Sequence, residues 1–307
     1  MNVALWIAIA LVCFVLPTTA LTGGGKKVPE RNELHQYARH VGLPLPEHLI
    51  PAVNARLLRR QRGMMIGGLV GIAIGVLIYL TFFSTGDGAV AALIVPAAGM
   101  GTAFGGAWAI AAHRPGTMPN RPVIARMRSV SLTDYVTRGE RFGFWMSPVV
   151  LILGTLAGIV LLKLVPQAHS APAILAGVVP TVLALVTWGV SLLTLRSVLA
   201  APARSESEPE LAWDDAERAD GLRQVANLSV AVAGIAQVLW LNSIGQALLQ
   251  DGAYQEAPAA ANILTVTSLT IFGTLICIVA AGPVTSWVTG TRKGYEQRQL
   301  WPHGVTP

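Results

Sequence analysis

Seven runs of about twenty apolar residues, separated by polar stretches of two alternating kinds, set the pattern of this chain. The runs cover Val3–Leu21, Met64–Ser84, Ala89–Ala112, Met146–Val165, Pro172–Leu195, Leu228–Leu249 and Ile263–Val288, and none holds an Asp or Glu. About twenty helical residues cross a hydrocarbon core about 30 Å thick. No water is available there to pair backbone groups, so segments of this length are helical. The alternating pattern of about ten residues that marks a membrane barrel is absent. The predicted fold is an all-α polytopic transmembrane bundle: one single helix (1–21), then hairpins over 64–112, 146–195 and 228–288.

The polar stretches differ in charge. Segment 22–63 carries eight Lys/Arg, 113–145 six, 196–227 three beyond Arg196, and the tail 289–307 three, so these stretches hold 20 of the chain's 22. The alternate connections, Thr85–Gly88, Pro166–Ala171 and Gln250–Asn262, hold none. Positive residues stay on the cytoplasmic side, which predicts an N-terminus outside and a C-terminus inside, in the cell (inner) membrane. Thr18-Thr19-Ala20 resembles a signal-cleavage site. No Lys or Arg precedes that run and eight follow it, so it is read as a retained helix. Lys163 is placed near the outer end of its helix, where its stem can snorkel to the headgroups.

Tryptophans fit the same frame: Trp6 at the outer interface, Trp108, Trp145 and Trp287 at the inner one, and Trp188 and Trp240 deeper as packing residues.

Hairpins start near Met64, Met146 and Leu228, a spacing of about eighty residues on one repeated plan. Pro46-Glu47 opens an amphipathic run to Gln61, expected to lie on the anionic inner leaflet before turning into the membrane. Ser131-Leu132-Thr133-Asp134 is a capping-box signature. Ser207-Glu208-Pro209-Glu210 starts a helix with acids at its positive end. Segment 201–227 sets seven acids against three arginines, while 22–63 and 113–145 are strongly basic. The acidic stretch is therefore expected to pack on the basic ones as a cytoplasmic cap.

Net charge is +6 and the isoelectric point about 9.7. Because these charges flank membrane segments, they do not indicate nucleic acid; the expected surface partner is the anionic inner leaflet, with a protein partner at the cytoplasmic face. Cys13 and Cys277 both lie in apolar runs, which excludes a disulfide framework or CxxC site. The polar residues near Glu33, His35, His40, Glu47 and His48 match no metal-ligand spacing. Gly23-Gly24-Gly25-Lys26-Lys27 follows a membrane run and lacks phosphate-loop spacing. No catalytic motif is present and no cofactor is expected.

Two motif types remain within the membrane. Gly67, Gly71 and Gly75, Gly101 and Gly105 (with Ala97 and Ala109), and Gly154 and Gly158 recur every four residues, so each set shares a helix face where backbones approach closely. Asn227, Asn242 and Gln246 on the sixth helix, and Thr267, Thr270 and Thr274 on the seventh, form polar faces. These either hydrogen-bond helix to helix or line a path for a transporter or channel subunit. Coupled transporters keep an ionisable residue in the bilayer interior, and this chain has none there. Gly282-Pro283 is expected to bend the seventh helix.

Arg121-Pro122-Val123-Ile124-Ala125-Arg126, leading to Asp134-Tyr135-Val136, resembles uncharacterised multi-pass membrane proteins of actinobacteria, a group whose composition the excess of arginine over lysine also fits. The resemblance implies a membrane location and no activity. The favoured reading is a scaffolding or regulatory integral membrane protein, not an enzyme, acting through its cytoplasmic loops.

Overall fold

A computed structural model describes residues 38, 39, 41–82, 89–112, 124, 125, 130–164, 171–201, 204, 205, 207–250, 258–291 and 294–303. The predicted helix 3–21, with Trp6 and Cys13, lies outside them. So do the Gly23–Lys27 stretch, Glu33, His35, His40, His113, His169 and the connection Thr85–Gly88.

The described chain is helical apart from one two-residue antiparallel pairing, β1 (Ile124–Ala125) with β2 (Arg204–Ser205). A 3-10 turn, Glu47–Leu49, leads into α1 (Ile50–Phe82). Then follow α2 (Ala89–Ala111), the single turn α3 (Leu132–Tyr135) and α4 (Arg138–Leu164). The remaining helices are α5 (Ala171–Ala200), α6 (Glu208–Gln250), α7 (Pro258–Val288) and α8 (Tyr295–Leu300). Five of them, α1 and α4 to α7, are long and apolar enough to cross a membrane.

Several helices run well beyond their apolar runs. The segment from Pro46 to Gln61 does not lie apart as a surface helix; from Ile50 it is the first part of α1, 33 residues without a break. The reason is propensity: Ala, Arg, Leu, Gln and Met between Ala52 and Met65 are good helix formers, and nothing there stops the helix. In the same way the acidic stretch and the apolar run 228–249 form one helix of 43 residues. At 1.5 Å per residue α6 is about 65 Å long, twice the hydrocarbon thickness. Every acid and arginine of α6 precedes Asn227, so its charge is confined to residues 208–226 and residues 228–249 form its apolar half. α7 continues through Gly282-Pro283 to Val288.

The chain divides into two compact units. One comprises Met1–Arg138, Ser191–Ala226 and Ser286–Pro307. In it, α1 and α2 meet backbone to backbone. A Cβ on Gly67 would collide with the carbonyl oxygen of Gly101, and one on Gly101 with that of Gly67. Gly63 and Gly105 stand in the same relation, Gly71 abuts the carbonyl of Ala97, and Gly75 is buried. The polar end of this unit has its own small core, where Leu43, Leu49, Val53, Ala212, Trp213 and Ala216 pack with Trp301. Trp213 also donates its indole N–H to the Pro44 carbonyl at 3.1 Å.

The other unit comprises Gly139–Val190 and Asn227–Thr285. Its core is built on Leu161, Leu162, Trp240, Ile244, Leu248 and Phe272. Trp240 is fully buried, its ring seated against Gly158 and Gly177 and its N–H donating to Thr181 at 3.0 Å. Gly154 makes room for the amide of Gln237. Gly282 leaves space for the Gly139 backbone. Trp188 donates to the Phe144 carbonyl at 3.0 Å and packs on the Phe144 ring.

Candidate functional site: a buried ionic cluster

The chemistry-bearing residues gather on the polar half of α6. Ser207 opens this helix, its hydroxyl accepting from the Glu210 N–H at 3.4 Å, and Glu208 and Glu210 occupy the first turn, where the helix dipole favours negative charge. Helical spacing then puts Glu210, Asp214, Glu217, Gly221 and Gln224 on one face. Two arginines one turn apart on α1 meet that face. Arg56 pairs with Glu210, and Arg60 reaches Asp220 at 3.6 Å and Gln224 at 3.3 Å. Arg218 pairs with Asp214 at 2.8 Å and donates to the Ala201 carbonyl at 2.7 Å.

A second set lies around Asp215, which is 1% exposed. It accepts from the Tyr135 hydroxyl at 2.9 Å and from the Trp301 N–H at 3.1 Å. Arg223 donates to the Tyr135 carbonyl at 2.9 Å and to Glu296 at 2.6 Å. Tyr135 and Val136 are fully buried, and the turn before them is closed by Ser131, whose N–H donates to Asp134 at 2.8 Å. The predicted capping box thus presents Tyr135 to α6. Gln297 donates to the Val41 carbonyl, tying α8 to the segment before α1. The acidic stretch therefore packs on the basic segment 22–63 as the charge pattern predicts, and on α3 of segment 113–145 through Tyr135.

Glu217 differs from its neighbours. It is 5% exposed, and its Oε1 has no hydrogen-bond partner. Burial pushes its carboxyl up from 4.5 to about 7. The guanidiniums of Arg56 and Arg60 pull it down, and the carboxylates of Asp214 and Asp220 push it further up. Burial wins because an unpaired carboxylate loses its hydration without a compensating bond.

The predicted intramembrane faces are placed differently. Asn227 donates to Glu140, itself buried, at 3.1 Å. Asn242, Gln246, Thr270 and Thr274 are exposed, and Thr267 is half-buried. Thr270 bonds its own helix, at the Val266 carbonyl 2.8 Å away. Trp108, Trp145 and Trp287 are exposed. An open groove of about 650 Å³ is lined, among the described residues, by Ala38, Arg39, Gly42, Leu43, Pro44 and Leu45, of which only Arg39 is charged. Among the described residues no group of His, Cys, Asp and Glu is placed to hold a metal ion.

Sequence reasoning did not single out Glu217, Arg56 or Arg60. The available signal was the opposition of acidic and basic segments, which names the partners as segments without pairing their residues. No protein-family model matches the chain, and no curated protein or solved structure is similar to it.

Proposed function

We propose that this chain is a seven-span plasma-membrane protein, N-terminus out and C-terminus in, that acts as a scaffold or regulator through the polar body built on α6. The five membrane-length helices are supplemented by α2, 23 residues without a charge, and by the apolar run 3–21. The distribution of Lys and Arg supports the orientation. Exposed Arg62, Arg138 and Arg196, near the polar ends of their helices, suit an anionic leaflet.

The observation that carries the reading is the ionic cluster. Acids and arginines buried together in a folded body outside the bilayer form an ordered surface, whereas the connections on the opposite side are short and uncharged by Lys or Arg. No catalytic centre, cofactor or nucleic acid enters this reading.

Cross-linking in intact membranes from positions on residues 207–226 tests it. A defined protein partner, captured by the native chain and lost when Glu208 and Asp220 are both changed to Lys, is the expected result. Solute flux through the purified protein in liposomes, with no partner captured, favours a transporter or channel subunit instead.

A further inference from the structure

The charges facing Glu217 balance without it. From α1 come Arg56 and Arg60; from α6 itself come Asp214 and Asp220. Arg56 is matched by Glu210, Arg60 by Asp220, and Asp214 by Arg218. Three arginines and three acids are thus accounted for, and Glu217 is the odd carboxyl.

The same cluster holds donors without partners. Arg56 Nη1 and Arg60 Nε are buried and make no hydrogen bond, as is Glu217 Oε1. Arg56 and Arg60 are therefore each committed to one acid through one nitrogen and keep a second N–H idle, and the carboxyl of Glu217, whose charge both arginines act on, has an idle oxygen. Guanidinium geometry suits sharing between two acids, because its five donors form a rigid fork.

We propose that Glu217 works a proton-driven exchange of partners between α6 and α1. As a neutral carboxyl it leaves Arg56 on Glu210 and Arg60 on Asp220 and Gln224, the arrangement observed. On losing its proton to solvent it becomes a buried fourth anion, and it draws the idle N–H groups of Arg56 and Arg60 onto itself. Glu210 and Asp220, at the margin of the cluster with side chains 18% and 36% exposed, then lose their arginine contacts and become more accessible to reagents in solvent. Burial places the transition near neutral pH. The exchange alters the acidic surface of the polar body, and it stands independently of membrane orientation and of any partner.

The sign of the linked stability change follows. A carboxyl whose folded pKa lies above its unfolded value binds more protons when folded. Its contribution is complete below about 4.5 and is lost as pH rises through about 7.

The test uses the full chain in lipid nanodiscs, followed by infrared difference spectroscopy from about pH 5 to about pH 9, the range that brackets an unperturbed and a buried carboxyl. The expected result is a protonated-carboxyl band lost with a midpoint near 7 and missing from Glu217→Gln. Over the same range, carbodiimide labelling of Glu210 and Asp220, normalised to Glu208, should rise in the native chain and stay flat in the variant. A wild-type spectrum without such a band overturns the proposal even if the variant fails to fold. So does a band that persists in Glu217→Gln, or one that titrates while the labelling stays constant.

Discussion

Glycine does two different jobs at two helix contacts of this protein, one in each compact unit. In the α1–α2 hairpin, Gly63, Gly67 and Gly71 lie against the backbone of Gly105, Gly101 and Ala97, so the closest contacts of the two helices are main chain on main chain. In the other unit, Gly158 and Gly177 form a socket for the indole of Trp240, and Gly154 admits the amide of Gln237. At Gly67 and Gly101 there is no side chain that can yield; at Gly158 there is one, Trp240, whose size sets the fit. The lesson is that a four-residue glycine spacing predicts close approach without saying what approaches.

The largest expected effect is at the hairpin. Gly67→Leu places four carbons where the Gly101 carbonyl stands, and neither backbone can retreat without separating the helices. Loss of folded protein in detergent is the expected outcome, read by size-exclusion chromatography and circular dichroism; a normally folded variant would remove the hairpin account.

Trp240→Ala should cost about 3–5 kcal/mol, because it empties a socket between two glycines and leaves Thr181 without its donor. Denaturation in mixed micelles measures this.

Gly158→Ala sharpens the contrast. It should cost about 1–3 kcal/mol as an overpacking change, and Trp240→Leu in the same chain should recover part of that loss. No side-chain change should rescue Gly67→Ala. Additive losses for the Gly158 and Trp240 pair would mean that the ring does not fill the glycine socket.

The smallest effect is predicted at the polar face of α7. Thr270 is exposed and bonded within its own helix. Thr270→Val should therefore change stability by less than about 0.5 kcal/mol, as an exposed site away from special features does. A large loss of function with normal folding would instead revive a polar path along α6 and α7.

What could be read from the amino acids alone follows the range of the interaction. The apolar runs, the capping box at Ser131 and the start of α6 at Ser207 are local, and their residues state them directly. Helix continuity is hidden in the sequence because charge marks the end of each apolar run without ending the helix. Arg59, Arg60 and Arg62 are compatible with helix and lie inside α1 rather than at its end. The opposition of acidic and basic segments was visible in the charge count and is realised in the contacts of Arg56 and Arg60 with α6. Which acid stays unpaired was not visible, since Glu217 differs from Glu210 only in where tertiary packing puts it. The same is true of Asp134-Tyr135-Val136, whose role depends on Asp215 and Arg223, about eighty residues away.

Hydrogen exchange across residues 208–227 in lipid nanodiscs tests the central claim, that this polar half of α6 is locked into a folded body. The account predicts amide protection there close to that of residues 228–249, since Arg56, Tyr135, Arg223 and Trp301 hold it in place. Exchange of 208–227 at the rate of a solvated, freely fraying helix would contradict it.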